Sequence, residues 1–198
     1  MKRNASDLIA ALAPLAAALE ALGVPYFLGG SLATAARGIA RSADADVIAR
    51  LRDEHVEPLA GRLAAVYYQG PGGRMRAAVT ARTSCPLLYF ATMFRIELFV
   101  SKGRAFDREA ETRARAETIG IASDSLHLPV ASVEDTVLAK LEWFRVECDT
   151  SERLWWDIVG LLKVTQDVDG SYLHRWAAVL GVADLLEQAL AAAARGSK

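Results

Sequence analysis

The stretch Tyr26-Phe-Leu-Gly-Gly-Ser31, followed after a small-residue segment by Arg41-Ser-Ala-Asp-Ala-Asp-Val-Ile48, decides the fold of this chain. A short apolar run ends in two glycines and a serine, and two aspartates separated by one residue come next. The pattern predicts a buried strand, a glycine turn, a helix capped by Ser31, a loop and a second strand. Because side chains alternate along a strand, Asp44 and Asp46 would share one face of that second strand.

The composition is that of an ordinary globular protein. The chain has 198 residues, of which 53% are hydrophobic and 24% charged, and its net charge is −1. It is long enough to bury a core, and no overall charge draws it to nucleic acid or anionic lipid. The two cysteines, Cys85 and Cys148, are far apart, which argues against a zinc site or a disulfide framework and suits a reducing cytoplasm. No run approaches the roughly 20 apolar residues of a membrane span.

Hydrophobic periodicity predicts an α+β protein in which mixed elements come first and only helices come last. The predicted strands are 26–28, 44–49, 87–92, 94–100, 117–121 and 125–128. The predicted helices are 6–22, 31–37, 52–67, 74–82, 106–116, one that begins at Ser132, 151–164, 170–180 and 182–195. We divide the chain into an α/β core, residues 1–129, and a C-terminal helical subdomain packed on it, residues 130–198. All four tryptophans fall in the helical part, where we expect them to form its core.

The two aspartates are candidate metal ligands. Residues i and i+2 of a strand lie roughly 6.5–7 Å apart, so two carboxylates can converge on one or two divalent ions. Hard oxygen ligands suit Mg²⁺, and two such ions activate an attacking hydroxyl and neutralise a leaving pyrophosphate. A third carboxylate is expected from a neighbouring strand, and Glu97, in the middle of the predicted strand 94–100, is the candidate. The ordinary alternatives are an exposed strand face for the aspartates and an ion pair with Arg95 for Glu97.

The glycine turn supplies a candidate phosphate site. Glycines let backbone N–H groups approach a phosphate closely, and the N-terminus of the following helix attracts anions. The Ser31 hydroxyl can add a hydrogen bond to the same phosphate. The ordinary alternative is a glycine turn with a serine cap that serves the fold alone.

Taken together, these motifs resemble the DNA polymerase β-type nucleotidyltransferase superfamily, in particular its small prokaryotic branch of AbiEii-like toxins and minimal nucleotidyltransferases. The resemblance is carried by Gly29-Gly30-Ser31, twelve intervening residues, Asp44-Ala-Asp46 and Glu97, and it continues through 94–100, 129–135, 140–143 and 151–158. It implies a nucleotidyltransferase-type mixed β-sheet with flanking helices, followed by a C-terminal helical bundle. Ala45 stands where a larger aliphatic residue is usual, and Glu97 stands where aspartate is usual.

The resemblance also implies roles for individual residues. The nucleotide-binding residues, for ATP or another NTP, would be Gly29, Gly30, Ser31 and Lys140. The catalytic residues and ligands of two Mg²⁺ ions, for which Mn²⁺ can substitute, would be Asp44, Asp46 and Glu97. For Lys140 the ordinary alternative is a solvated helix face, and for Arg153 and Asp157 an intrahelical ion pair is expected.

The implied function is transfer of a nucleoside monophosphate from an NTP to a hydroxyl, with release of pyrophosphate. The acceptor would be an RNA 3′ end, a protein hydroxyl or a small molecule, and the toxin-like branch adds a cognate partner protein and a toxin–antitoxin role. The alternative is a catalytically weak or inactive nucleotidyltransferase fold that acts as an antitoxin-like protein-binding module. We expect a cytoplasmic enzyme without a membrane segment.

Overall fold

The computed structural model describes residues 5–29, 44–121, 124–146 and 151–195. Within this part of the chain the protein has one seven-stranded mixed sheet and eight helices, so the predicted α+β class is confirmed. The predicted helix 31–37 and the turn residues Gly30 and Ser31 lie outside the described residues.

The helices and strands have the following bounds. The strands are β1 (Tyr26–Gly29), β2 (Asp44–Ala49), β3 (Tyr67–Tyr68), β4 (Ser84–Tyr89), β5 (Phe94–Val100), β6 (Arg115–Ile121) and β7 (Asp124–Val130). The helices are α1 (Ala5–Ala21), α2 (Asp53–Leu63), α3 (Arg74–Ala81), α4 (Ala105–Arg113), α5 (Val133–Val146), α6 (Glu152–Val164), α7 (Gly170–Leu180) and α8 (Ala183–Arg195). Among these helices, none has the length and apolar character needed to cross a bilayer.

The strand order in the sheet is β3-β4-β5-β2-β1-β7-β6. The pairs β2–β5 and β1–β7 are parallel, and the remaining pairs are antiparallel. Strand β2 therefore lies in the middle of the sheet, between β1 and β5. Its parallel partner β5 comes about fifty residues later in the chain, with α2, β3, α3 and β4 between them.

Burial alternates along the central strands as the sequence predicts. In β5, Ile96 and Leu98 are buried, whereas Arg95 and Glu97 lie on the more open face. In β2, the residues Ala45, Val47 and Ala49 are buried in the same alternating way. One face of the central sheet is thus committed to the core, and the other carries the polar residues.

Helix α1 begins and ends within two residues of the prediction. It contains Pro14, which has no backbone N–H to donate within the helix. The side chain of Tyr67, from β3, packs against this part of the helix, and its hydroxyl donates a hydrogen bond to the Ala11 carbonyl. Burial raises the pKa of Tyr67, and a backbone hydrogen bond with Leu15 opposes that rise. The hydroxyl therefore stays protonated and ties the edge of the sheet to α1.

Several element boundaries predicted from the sequence are wrong. The predicted helix 106–116 ends at Arg113, and β6 already begins at Arg115. The predicted helix 52–67 ends at Leu63, because the chain turns and Tyr67 pairs with Tyr89 of β4. The predicted strand 87–92 is Ser84–Tyr89, since the chain then turns through Met93, which has a positive φ of 55°. Strands β4 and β5 pair antiparallel as a hairpin.

The chain divides into two compact units, and the described residues from 132 onward form the second, which contains α5 to α8. The predicted serine cap of its first helix is present, because Ser132 Oγ accepts a hydrogen bond from the Asp135 N–H at 3.1 Å. The predicted domain boundary near residue 129, and the packing of the helical part on the core, stay predictions.

The expectation that all four tryptophans form the core of the helical unit is wrong. Trp176 is buried, but 49% of Trp143 and 62% of Trp156 are exposed. Aliphatic residues of α5 and α6, such as Leu141 and Ile158, take the interior positions instead. Amphipathic spacing identified the helices, but it did not show which of several apolar residues would face inward.

We expect Tyr67→Phe to lower the free energy of unfolding by about 0.5–1.5 kcal/mol, because it removes the buried hydrogen bond from the Tyr67 hydroxyl to the Ala11 carbonyl. Chemical denaturation followed by circular dichroism measures this change. The matched control is Tyr68→Phe, since Tyr68 is the neighbouring residue and is 54% exposed. Equal stabilities of the two variants would contradict the role assigned to the Tyr67 hydroxyl.

Candidate active site

The three strands β1, β2 and β5 bring Gly29, Asp46 and Glu97 into one row across the sheet. Asp46 is the register partner of Gly29 on one side and of Glu97 on the other. Neighbouring strands lie about 4.8 Å apart, and register partners project from the same face. The carboxylates of Asp46 and Glu97 therefore rise side by side from the open face of the sheet, next to the end of β1.

Asp44 lies one row further along the same strand. Its backbone pairs with Arg95 of β5, and its side chain is outside what the structure describes. Among the side chains that are described, no three His, Cys, Asp or Glu residues form a group that could hold a metal ion. That Asp44, Asp46 and Glu97 form a set of three metal ligands therefore stays a prediction. The structure places Asp46 and Glu97 next to each other on neighbouring strands.

The carboxylate of Glu97 is hydrogen-bonded at both oxygens. Ser84 Oγ, from the neighbouring strand β4, donates to Oε1 at 2.6 Å, and Arg95 Nη2 donates to Oε2 at 2.7 Å. Only 16% of the Glu97 side chain is exposed, so these charge-assisted bonds compensate a largely desolvated anion. The ion pair with Arg95 was the ordinary alternative for Glu97, and it is present. Sequence reasoning missed Ser84, since its strand begins three residues earlier than predicted.

Gly29 has a packing role that the structure shows directly. A Cβ atom at this position would meet Cδ1 of Ile48, the far end of that side chain, so a larger residue would require Ile48 to shift. Ile48 in turn packs with a buried cluster of Phe27, Ala110 and Ala131, in which Ala110 belongs to α4. The glycine therefore lets Ile48 close over the end of β1, two residues from Asp46. Its role in nucleotide binding, like those of Gly30 and Ser31, stays a prediction.

Lys140 lies in α5 of the second unit and is not on a solvated helix face. Only 8% of its side chain is exposed, and its Nζ donates to Asp157 Oδ2 of α6 at 3.1 Å. Among the described contacts, Asp157 thus pairs with Lys140 rather than with Arg153, the partner that spacing along α6 predicts. A buried lysine with one carboxylate partner retains donors for a second anion, but nucleotide binding by Lys140 stays a prediction.

Two further carboxylates of the second unit are buried and serve its packing. The Tyr172 hydroxyl donates to Asp135 Oδ1 at 2.5 Å, and Ser132 Oγ donates to Asp135 Oδ2 at 2.7 Å. Glu134 Oε1 accepts a hydrogen bond from the Asp169 N–H at 3.0 Å, at the start of α7. These bonds join the first turn of α5 to the first turn of α7. The serine–aspartate spacing of the cap was the only sequence signal for this network.

The fold is similar to that of solved nucleotidyltransferase-like proteins. An antigenic nucleotidyltransferase-like protein from Paracoccidioides brasiliensis superposes with a TM-score of 0.53 at 16% identity, over 95% of this chain and 92% of that one. The antibiotic-resistance factor ANT(2″)-Ia superposes with a TM-score of 0.49 at 11% identity, over 89% of this chain and 96% of that one. No protein family model and no curated protein sequence matches the chain.

The likeness to the Paracoccidioides protein shows the fold. The chain has the architecture of a nucleotidyltransferase-like protein, as the sequence resemblance implies, and the AbiEii-like branch stays a prediction. At 16% identity the likeness does not carry the activity of one protein to the other. The case for function depends on the residues of this chain.

We expect Asp157→Asn to lower the free energy of unfolding by about 2–3 kcal/mol, because it leaves the buried Lys140 ammonium without its counter-charge. Urea denaturation at neutral pH measures the change. The control is Asp184→Asn, which breaks the exposed pair of Asp184 with Arg145. That contact lowers the pKa of Asp184, but water screens the exposed pair, and we expect almost no change in stability. A loss in the control as large as that in Asp157→Asn would contradict the assignment.

Proposed function

We propose that the protein is a Mg²⁺-dependent nucleotidyltransferase, which moves a nucleoside monophosphate from an NTP to a hydroxyl and releases pyrophosphate. The observation that carries this proposal is the register that sets Asp46 beside Glu97 on the open face of the sheet, next to the end of β1. Carboxylates from neighbouring strands can hold the divalent ions that assist phosphoryl chemistry.

The side chains on this face fit a divalent ion. Carboxylate oxygens are the ligands that Mg²⁺ prefers, and Asp46 and Glu97 present them from adjacent strands at the same level. Asp44, two residues earlier on β2, would add a third. When bound, Mg²⁺ would activate the acceptor hydroxyl and neutralise the leaving pyrophosphate, and Mn²⁺ would substitute for it.

The residues after β1 would hold the triphosphate. Gly29 ends the strand in register with Asp46, so β1 ends in the row of the sheet that carries Asp46 and Glu97. Backbone N–H groups at Gly30 and the Ser31 hydroxyl would then bind the phosphates, as in other glycine turns. Nucleotide binding by Lys140, in the second unit, depends on the family resemblance alone.

The acceptor belongs to one of three classes: an RNA 3′ end, a protein hydroxyl or a small molecule. The resemblance to AbiEii-like toxins favours RNA or protein, and it adds a toxin–antitoxin role with a cognate partner protein. Each class presents a hydroxyl, so the same carboxylates serve all three.

One observation favours a second candidate, a binding module of the same fold without turnover. Both oxygens of Glu97 are occupied by Ser84 and Arg95, so the third carboxylate is already compensated without metal. A module of this kind would bind a partner protein and would show no metal-dependent affinity for NTP. Calorimetry with ATP, with and without Mg²⁺, separates the two candidates, because tight binding only with Mg²⁺ contradicts the module.

We expect the wild-type protein to transfer label from an α-³²P-labelled NTP to an acceptor in the presence of Mg²⁺ or Mn²⁺. The assay uses each of the four NTPs with bulk tRNA, a cell lysate and a panel of polyhydroxylated small molecules. We expect Asp46→Asn and Asp44→Asn to lower the rate at least about 100-fold, the scale on which loss of one charge-stabilising group acts.

The matched control for these variants is Asp167→Asn, because Asp167 is an exposed aspartate of the second unit. We expect it to retain the wild-type rate. Equal labelling by wild type, Asp44→Asn and Asp46→Asn with every NTP would contradict the proposed activity.

A further inference from the structure

The two oxygens of the Glu97 carboxylate have partners of different kinds. Oε1 accepts from a neutral serine hydroxyl, and Oε2 accepts from an arginine. Only 16% of the Glu97 side chain is exposed, whereas 52% of the Arg95 side chain is exposed. One oxygen is therefore held by a short side chain within the sheet, and the other by a long, solvated cation.

The contact from Ser84 is built into the register of β4 and β5. Ser84 pairs with Phe99 and Pro86 pairs with Glu97, so Ser84 is the diagonal neighbour of Glu97 on the same face. A serine side chain has a single heavy-atom rotation, and little entropy is lost in ordering it. The hydroxyl therefore fixes the carboxylate whether or not Oε2 has a partner.

The contact from Arg95 is easier to displace than the contact from Ser84. The Arg95 side chain is half exposed, so water screens its end of the ion pair, and a long side chain must be ordered to make the contact. A divalent ion at Oε2 would face the guanidinium at close range, and two cations repel each other there. The arginine and a metal ion therefore compete for the same oxygen.

We propose that Ser84 is a positioning residue for Glu97 and that Arg95 is the partner that leaves Oε2 when a divalent ion binds. The inference rests on the proposed function, since it takes Glu97 as a ligand of that ion. Ser84 then holds the Glu97 carboxylate in its orientation while the ion replaces Arg95 at Oε2. Arg95 compensates the carboxylate when no ion is bound and so sets the metal affinity of the site.

The test is a titration of the nucleotide-free protein with Mn²⁺, in which the electron paramagnetic resonance signal of free Mn²⁺ reports binding. We expect Ser84→Ala to weaken Mn²⁺ binding about tenfold or more, as loss of a group that orients a metal ligand does. We expect Ser84→Thr, which keeps the hydroxyl, to bind like the wild type. We expect Arg95→Gln to change the affinity in the opposite direction and tighten binding at least about twofold.

Matched controls separate these effects from general changes. Ser171→Ala removes an exposed serine hydroxyl, and Arg76→Gln removes an exposed arginine that pairs with Glu57. We expect neither to alter Mn²⁺ binding. Thermal unfolding without metal checks that each variant is folded. If Ser84→Ala does not fold, the Mn²⁺ affinity of Arg95→Gln relative to the wild type decides whether the inference holds.

The outcomes distinguish this inference from the proposed function. If the wild type binds Mn²⁺ and Asp46→Asn does not, but Arg95→Gln binds no more tightly than the wild type, the inference is overturned and the proposed function stands. An unchanged affinity in a folded Ser84→Ala variant overturns it in the same way. If the wild type binds no Mn²⁺, or if Asp46→Asn binds it equally well, the proposed function fails and the inference fails with it.

Discussion

The parallel pairing of β2 with β5 is the constraint on which the site depends. It fixes Asp46 opposite Glu97, and the antiparallel pairing of β2 with β1 fixes Gly29 on the other side of Asp46. A slip of one residue in either pair would turn one side chain into the core, where an unpaired carboxylate is costly. Buried residues on the opposite face of both strands, such as Val47 and Leu98, hold the register in place. The hydrophobic residues that form the core therefore also align Gly29, Asp46 and Glu97 across the sheet.

The charged side chains need hydrogen-bonding or ionic partners, because they are only partly solvated. Glu97 is largely buried at its carboxylate and has two donors within 2.7 Å. In the second unit, Lys140 is buried further and has Asp157 as its counter-charge. In both arrangements the hydrogen-bonding partners offset part of the desolvation cost of a largely buried charged group.

Much of this fold could be predicted from local sequence, because alternation and helical spacing are strong in β2, β5, α7 and α8. The boundaries failed where tertiary pairing overrides local preference, as at Tyr67, which extends a helical pattern but pairs with Tyr89 at the sheet edge. Asp46 and Glu97 were predictable as carboxylates on two strands, but their alignment required the strand order. The contact from Ser84 could not be predicted, because a diagonal neighbour depends on the register of two strands. Likewise, the spacing along α6 indicated Arg153 as the partner of Asp157, whereas the packing of α5 on α6 supplies Lys140.

The register also gives a physical reason for glutamate at position 97, where the superfamily that the sequence resembles usually has aspartate. The hydroxyl that holds this carboxylate comes from Ser84, a diagonal neighbour on β4, and diagonal neighbours in a sheet lie roughly 7–8 Å apart, with their Cβ atoms somewhat closer. The extra methylene of glutamate lets Oε1 reach that hydroxyl while Oε2 points elsewhere, whereas an aspartate would keep both oxygens nearer to β5. The hydrogen bond from Ser84 therefore depends on the length of the Glu97 side chain. With Ser84 in place, a glutamate can be oriented as firmly as a shorter carboxylate, so its length alone does not argue against catalysis.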